Sequence, residues 1–291
     1  MFRKIGFTLI LMCLSSLIYA QNLAITLWQN PTKLTNVQYN INQKVSDISQ
    51  PQMVVYLPKK NNHHAILVMS GGGYAREELG KEGTPTSQWL QQQGFTVFEL
   101  IYRLPKNNPL LPFADGQRAI RIMRSQAKIF DYDPQKIGVL GFSAGGHLAS
   151  ILATQFNTTF YKSQDQLDTL SAKPNFAVLV YPVISMLPPL NHTHAFKSLF
   201  PKPNATLQTL LSAQDAVTPQ TPPMLIFHAK NDPISPVQNT LLMQQALTQV
   251  HATHQVYIFD NGGHGWGLGK PNTQTMQWRS LFLQWVYQLT E

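Results

Sequence analysis

From about residue 50 onward the chain alternates between short apolar runs and longer segments whose apolar positions recur every three or four residues. "MVVYL" (53–57) and "AILVMS" (65–70) are runs of the first kind, separated by the turn-forming "PKKNNHH". "FTVFELIYR" (95–103), "KIGVLGF" (136–142), "FAVLVYPV" (176–183), "PMLIFHA" (223–229) and "QVYIFD" (255–260) continue the series. Their lack of polar alternation suits strands buried on both faces. "TSQWLQQQG" (86–94) predicts a short helix stopped by Gly94, and residues 114–130 hold apolar side chains at a helical period. "AGGHLASILATQ" (144–155), "VQNTLLMQQALTQV" (237–250) and "TQTMQWRSLFLQWVYQL" (273–289) complete the helices. Alternating β and α elements predict an α/β fold: a mostly parallel central sheet with helices on both faces, in a single domain. Two segments stand outside this rhythm. Residues 21–50 form a polar, Asn/Gln-rich lead, and the irregular, proline-punctuated 184–222 reads as a small insertion over the sheet edge near the site.

The first twenty residues differ again. "MFRKIGFTLILMCLSSLIYA" has Arg3 and Lys4, an apolar stretch from Ile5 to Leu14, then smaller residues ending at Ala20. This layout predicts a signal peptide over 1–20, cut after Ala20, with a mature domain 21–291 that is secreted or periplasmic. The apolar part is short for a membrane span. Ile18 is bulkier than the small residue usual near a cut, so an uncleaved N-terminal anchor is the competing reading. The one cysteine, Cys13, falls in this segment, and the mature chain is expected to have no thiol, disulfide or cysteine-bound metal.

The chain has 291 residues, 43% of them hydrophobic, enough for one large core. Its formal charge is +8, and losing Arg3 and Lys4 leaves +6, scattered rather than clustered. That distribution argues against a nucleic-acid partner. No stable membrane partner is expected once the signal is removed.

Candidate chemistry begins at "GFSAG", Gly141 to Gly145, which fits G-x-S-x-G between an apolar strand and a helix. A sharp strand-to-helix turn there would expose the hydroxyl of Ser143, with the helix N-terminus directed at developing negative charge. A serine needs a base, and His264 in "FDNGGHGWG" follows the last strand in a loop able to reach over the sheet's edge. His147 reads as a packing or capping residue and His228 as a core histidine. His63, His64, His192 and His194 lie in loops without positional logic, and His251 and His254 flank a helix end. The acid behind the base is Asp232, just past strand 223–229, with Asp260 as the rival four residues before His264. Chain order Ser143, Asp232, His264 is that of the hydrolase arrangement. "SGGGY" supplies candidate oxyanion donors in Gly72 and Gly73, Gly71 beside them, joined by the N–H of Ala144. "GGG" lacks either phosphate-binding pattern.

With "SGGGY", "KEG", "IYRLP", "DPQKIGVLGFSAGGHLAS", "MLIFHAKNDPISP" and "GGHGWGL" in order, the chain resembles the α/β-hydrolase superfamily. Within it, the chain is similar to secreted bacterial acetylxylan esterases and the feruloyl-esterase-like (BD-FAE-like) group. Many such esterases have histidine at Ser70, two acidic residues at Asn231-Asp232, and Phe at Trp266. The resemblance implies a serine esterase that removes small acyl groups, acetyl foremost, from poly- or oligosaccharides, with no cofactor and no metal. Tyr74 and Trp266 are candidates for sugar stacking or for ordinary aromatic packing, Glu82 for anchoring the glycine loop, and Arg118, Arg121 and Arg124 for a solvated or structural face. Competing readings are a broad-specificity carboxylesterase or lipase, a peptidase on the same fold, and a non-catalytic binding protein. A lipase would be expected to show a broad apolar lid, whereas 184–222 is mostly polar and proline-rich. A peptidase on this fold usually carries an additional large domain. A binding protein would typically have lost one of Ser143, Asp232 and His264, all of which are present.

Overall fold

The computed structural model describes residues 23–29, 31 and 33–290. The expected signal segment and its cut after Ala20 therefore lie outside the described residues. In chain order the strands are β1 (Leu23–Thr26), β2 (Leu34–Asn36), β3 (Gln52–Tyr56), β4 (Ala65–Met69), β5 (Thr96–Ile101), β6 (Ile137–Phe142), β7 (Phe176–Val180), β8 (Met224–Ala229) and β9 (His254–Phe259). The helices are α1 (Thr84–Gln92), α2 (Leu111–Gln126), α3 (Ala144–Thr154), α4 (His194–Leu199), α5 (Ala205–Leu210), α6 (Gln238–Gln249) and α7 (Trp278–Thr290).

The strands form one nine-stranded sheet ordered β2-β1-β3-β5-β4-β6-β7-β8-β9. From β5 to β9 neighbouring strands are parallel, while β2, β1 and β3 add an antiparallel edge. Every residue of β4, β5, β6, β7 and β8 is buried, as continuous apolar runs require. Phe142 packs on Trp278 of α7 at 6.1 Å between ring centroids, whereas adjacent Gly141 abuts α3 at Gly145. Successive strand residues face opposite sides, so α7 and α3 cover opposite faces. Fully buried Trp278 gathers Trp89, Phe142, Phe227 and Phe282 around it. Each such aromatic pair adds about 0.5–1.5 kcal/mol beyond its burial.

In two places the structure departs from the sequence reading, and in a third it decides between alternatives. The polar lead contains β1 and β2, two short strands of which β1 pairs with β3 and β2 with β1, so their place at the sheet edge depends on these partners rather than on their own apolar content. Trp28 then docks this lead on α2: its Nε1 donates to Asp115 Oδ1 at 2.8 Å, and the Arg103 and Arg118 guanidinium groups lie over its ring. Arg118, read as lying on a solvated or structural face, is structural. It is 1% exposed, donates to Leu27 O, and pairs with Asp165 and Asp168, and Arg121 and Arg124 likewise donate to backbone carbonyls. Segment 184–222 is less irregular than its prolines imply. Thr193 Oγ1 caps α4 by accepting from Phe196 N–H, and Asn204 Oδ1 caps α5 by accepting from Leu207 N–H.

Candidate active site

The residues singled out in sequence converge where β4, β6, β8 and β9 end, at the carboxyl edge of the sheet, where open α/β sheets bind ligands. Ser143 stands between β6 and α3 at φ 52°, ψ −114°, a conformation that costs a non-glycine residue about 1–3 kcal/mol. It is held there by Val180 O, which accepts from its N–H at 3.0 Å, and by its own carbonyl, which accepts from His147 and Val183. The flanking glycines have steric causes. A Cβ on Gly141 would lie 2.0 Å from Gly145 O, and one on Gly145 2.3 Å from Met69 O. The turn closes only without them.

His264 reaches in from the loop after β9, with its Nε2 2.8 Å from Ser143 Oγ and its Nδ1 2.6 Å from Asp232 Oδ2. An ionised Asp232 can only accept, so Nδ1 carries the proton and Nε2 accepts from the serine hydroxyl. Asp260 is not behind the imidazole; it is exposed, and its N–H donates to the side chain of Gln274. Burial opposes ionisation of Asp232, but hydrogen bonds from His228, His264 and Ser235 N–H outweigh it and bring its carboxyl down to about 2. His228 is buried, bonded to Thr240 Oγ1 and Ser235 O, and its Nε2 lies 3.3 Å from Asp232 Oδ2. The amide of Asn231 does work that was not anticipated. Its Oδ1 accepts from Gly262 and Gly263 N–H at 3.1 and 2.9 Å, pinning the histidine loop without a second charge.

The glycine loop after β4 packs directly on the serine: a Cβ on Gly71 would lie 2.9 Å from Ser143 Cβ. Gly71 N–H is already committed to Glu82 Oε2 at 2.7 Å. Gly72 and Gly73, at φ 123° and 64°, turn the loop in a way side-chain-bearing residues resist, and both line the cavity. Ser70 anchors this loop through its hydroxyl, which donates to Glu77 Oε2, while its carbonyl accepts from Tyr102.

Tyr74 and Trp266 do not face the cavity. Tyr74 is 1% exposed and donates to His147 Nδ1 at 2.8 Å; His147 Nε2 in turn donates to Leu211 O. Burial, partly offset by the Leu211 bond, brings the His147 imidazole down to about 4, so it stays neutral. Trp266 is buried between Tyr181, Phe259 and Trp278. In both cases a large ring gains more from the core than from solvent.

Ser143, His264, Gly72 and Gly73 open on a cavity of about 350 Å³. Its other walls include Arg76, Glu78, Lys81, Thr193, His194 and Ile234. His194, without positional logic in sequence, is brought there by the start of α4. Tyr181 was also missed as a site residue, although its position just past the end of β7 follows the rule that sites gather at strand C-termini. Among the described residues no group of three His, Cys, Asp or Glu side chains could hold a metal ion, and no helix is long and apolar enough to cross a membrane. Chemically, the arrangement holds a hydroxyl, a base with its acid partner, and backbone N–H groups around one small space.

Residues 53–247 match the BD-FAE family. An acetylxylan esterase of Xylanibacter ruminicola is 34% identical over 230 residues, 77% of this chain and 45% of that protein. Endo-1,4-beta-xylanase B of Butyrivibrio fibrisolvens is 29% identical over 74% of this chain and 34% of its own length. The chain thus spans less than half the length of either curated relative. Among solved structures, an acetyl ester-xyloside bifunctional hydrolase from Caldicellulosiruptor lactoaceticus superposes with a TM-score of 0.80 at 33% identity, covering 93% of this chain and 97% of that one. A Thermogutta terrifontis esterase shares the fold at a TM-score of 0.71 and 23% identity, covering 86% and 93%. With this sheet, this strand–serine–helix turn and these matches, the chain belongs to the BD-FAE family of α/β-hydrolases.

Proposed function

We propose that the protein is a serine carboxylesterase that removes small acyl groups, acetyl foremost, from acetylated polysaccharides or oligosaccharides. Ser143 attacks the ester carbonyl while His264 Nε2 takes its proton. The N–H groups of Gly72, Gly73 and Ala144 hold the oxyanion, and Asp232 stabilises the imidazolium through Nδ1–H. His264 then passes the proton to the departing sugar oxygen, and water, activated by the same base, hydrolyses the acyl-enzyme.

The single observation that carries this reading is the unbroken Asp232–His264–Ser143 hydrogen-bonded chain, at 2.6 and 2.8 Å, ending in a confined cavity. The cavity's polar walls at Arg76, Glu78, Lys81, Thr193 and His194 suit a hydroxyl-rich alcohol better than a long acyl chain. The acetylxylan esterase and acetyl ester-xyloside hydrolase named above are consistent with the same substrate class. Export through residues 1–20 belongs to the proposal, and the exported protein is expected to begin at Gln21.

The test is acetate release from acetylated xylan and other acetylated glycans, alongside feruloyl esters and p-nitrophenyl esters of rising chain length. Acetyl esters are expected to be the best substrates, and Ser143→Ala is expected to lower kcat by roughly 10⁴-fold or more. A preference for acyl chains of about eight carbons or longer rejects the small-acyl assignment. Undiminished turnover by Ser143→Ala rejects the mechanism.

A further inference from the structure

We propose that Glu82 is a positioning residue that joins the oxyanion loop to the histidine loop through the hydroxyl of Tyr181, so that the two halves of the site move as one unit. This inference rests on the serine-esterase reading above.

Glu82 lies in the turn before α1 and is 3% exposed. Its Oε2 accepts from Gly71 N–H at 2.7 Å, next to the proposed oxyanion donors. Its Oε1 accepts from the Tyr181 hydroxyl at 2.9 Å. The Tyr181 oxygen accepts in turn from Gly267 N–H at 3.0 Å, three residues past His264. The Tyr181 ring meanwhile packs on His264, with centroids 4.8 Å apart, and on Trp266 at 4.6 Å. Three buried hydrogen bonds therefore run from one loop to the other, and the ring in the middle touches the base itself.

The chemistry of this link demands a carboxylate. Both Glu82 oxygens face donors, an amide N–H and a hydroxyl whose own oxygen is already used, so only a group that accepts at both ends satisfies them. Burial pushes the Glu82 carboxyl upward, while the bonds from Gly71 and Tyr181 and the nearby His264 and Lys81 act against that shift. A buried carboxylate is a poor way to stabilise a fold, because an apolar side chain of the same volume avoids the desolvation cost. Its position between the two loops carrying the reacting groups instead serves alignment. A displacement of about 1 Å in such a site can lower turnover by roughly 10²-fold.

The test compares Glu82→Gln, Tyr181→Phe and the double variant on p-nitrophenyl acetate. Active sites are counted by fluorophosphonate titration, so that kcat refers to folded enzyme alone. Gln offers an acceptor at one end only, and Phe keeps the ring on His264 while removing the hydroxyl. Each single variant is expected to lose about tenfold in kcat per titrated site with KM within about twofold. The double variant is expected to be no worse than the poorer single one within about twofold, since both cut the same link. The inference is overturned if either single variant keeps kcat per site within twofold of the parent, or if the losses multiply in the double. Should Glu82→Gln fail to fold, Tyr181→Phe decides alone on the same kcat criterion. A parent enzyme whose Ser143 takes no phosphonate defeats the esterase reading itself, whereas a labelled parent with indifferent variants defeats only the link.

Discussion

At the residue scale, one carboxylate carries several duties. Asp232 Oδ1 accepts from Ile234 and Ser235 N–H at 2.8 and 2.9 Å, which leaves Oδ2 aimed at His264 Nδ1. Its carboxyl lies near 2 against an ordinary 3.8. The stabilisation this brings is complete above the ordinary value and disappears as pH falls through the depressed one. Replacing Asp232 by Asn keeps the shape but lets the amide donate toward Nδ1, which turns the imidazole to the wrong tautomer. Asp232→Asn is expected to lower kcat by about 10⁴-fold with little change in KM, measured on p-nitrophenyl acetate. Its neighbour makes the opposite prediction. Asn231 acts as an acceptor for two loop amides, a duty a carboxylate can also perform. Asn231→Asp is expected to retain kcat within about threefold, whereas Asn231→Ala, which orphans both N–H groups, is expected to lose about tenfold and some stability. Equal effects of the two variants would mean that acceptance by Oδ1 is not what holds the loop.

At the element scale, the junction of β3, β5 and α1 holds another buried carboxyl. Glu99 on β5 accepts from Tyr56 on β3 at 2.6 Å and from Thr84 at the start of α1. Burial, opposed by these bonds, pushes it up to about 8 from an ordinary 4.5. The folded state therefore holds the proton more tightly than the unfolded chain does. Its contribution to stability is complete below the ordinary value and is lost as pH rises through about 8. Thermal melts of the parent are expected to fall between pH 5 and 9, and those of Glu99→Gln, which cannot ionise, to fall less, by at least about 2 °C over that interval. Parallel melting curves would exclude a titrating Glu99. Glu77, also buried and raised well above its ordinary value chiefly by burial, remains in both proteins; the charge of Glu99 adds to its shift, so it too titrates more easily in Glu99→Gln.

At the scale of the whole molecule, segments distant in sequence are fastened to the sheet by a few polar anchors. Trp28 in the N-terminal lead bonds to Asp115 and lies against Arg103 and Arg118, and Arg118 in turn holds Asp165 and Asp168. These contacts draw the lead, α2 and the 165–169 turn into one body. Trp28→Ala is expected to cost roughly 2–4 kcal/mol, lowering Tm by about 4–12 °C. Because Trp28 lines no part of the cavity, kcat on p-nitrophenyl acetate is expected to stay within about twofold. A comparable loss of turnover at unchanged Tm would mean that the lead acts on the site rather than on the fold.

Much of this was legible in the linear chain. Buried parallel strands must be apolar throughout, so "AILVM" and "FAVLV" announced themselves. A strand-to-helix turn as tight as that at Ser143 admits only glycine on either side, so 141 and 145 marked it. Elements that owe their existence to partners stayed hidden: β1 is a strand because β3 offers it an edge, and β2 because β1 does; α4 and α5, six residues each and held by local caps, are too short to show a helical period. The same division holds at the site. Residue type and order identified a serine, an acid and a histidine, because bond-making chemistry restricts which side chains can serve. Sequence also offered Glu82 as an anchor of the glycine loop, and only the folded chain decided that Tyr74 and Trp266 turn inward, that His194 walls the cavity, and that Asn231 and Tyr181 hold the histidine loop. Packing and hydrogen-bond geometry depend on distances between residues far apart in sequence, and no local pattern encodes those distances.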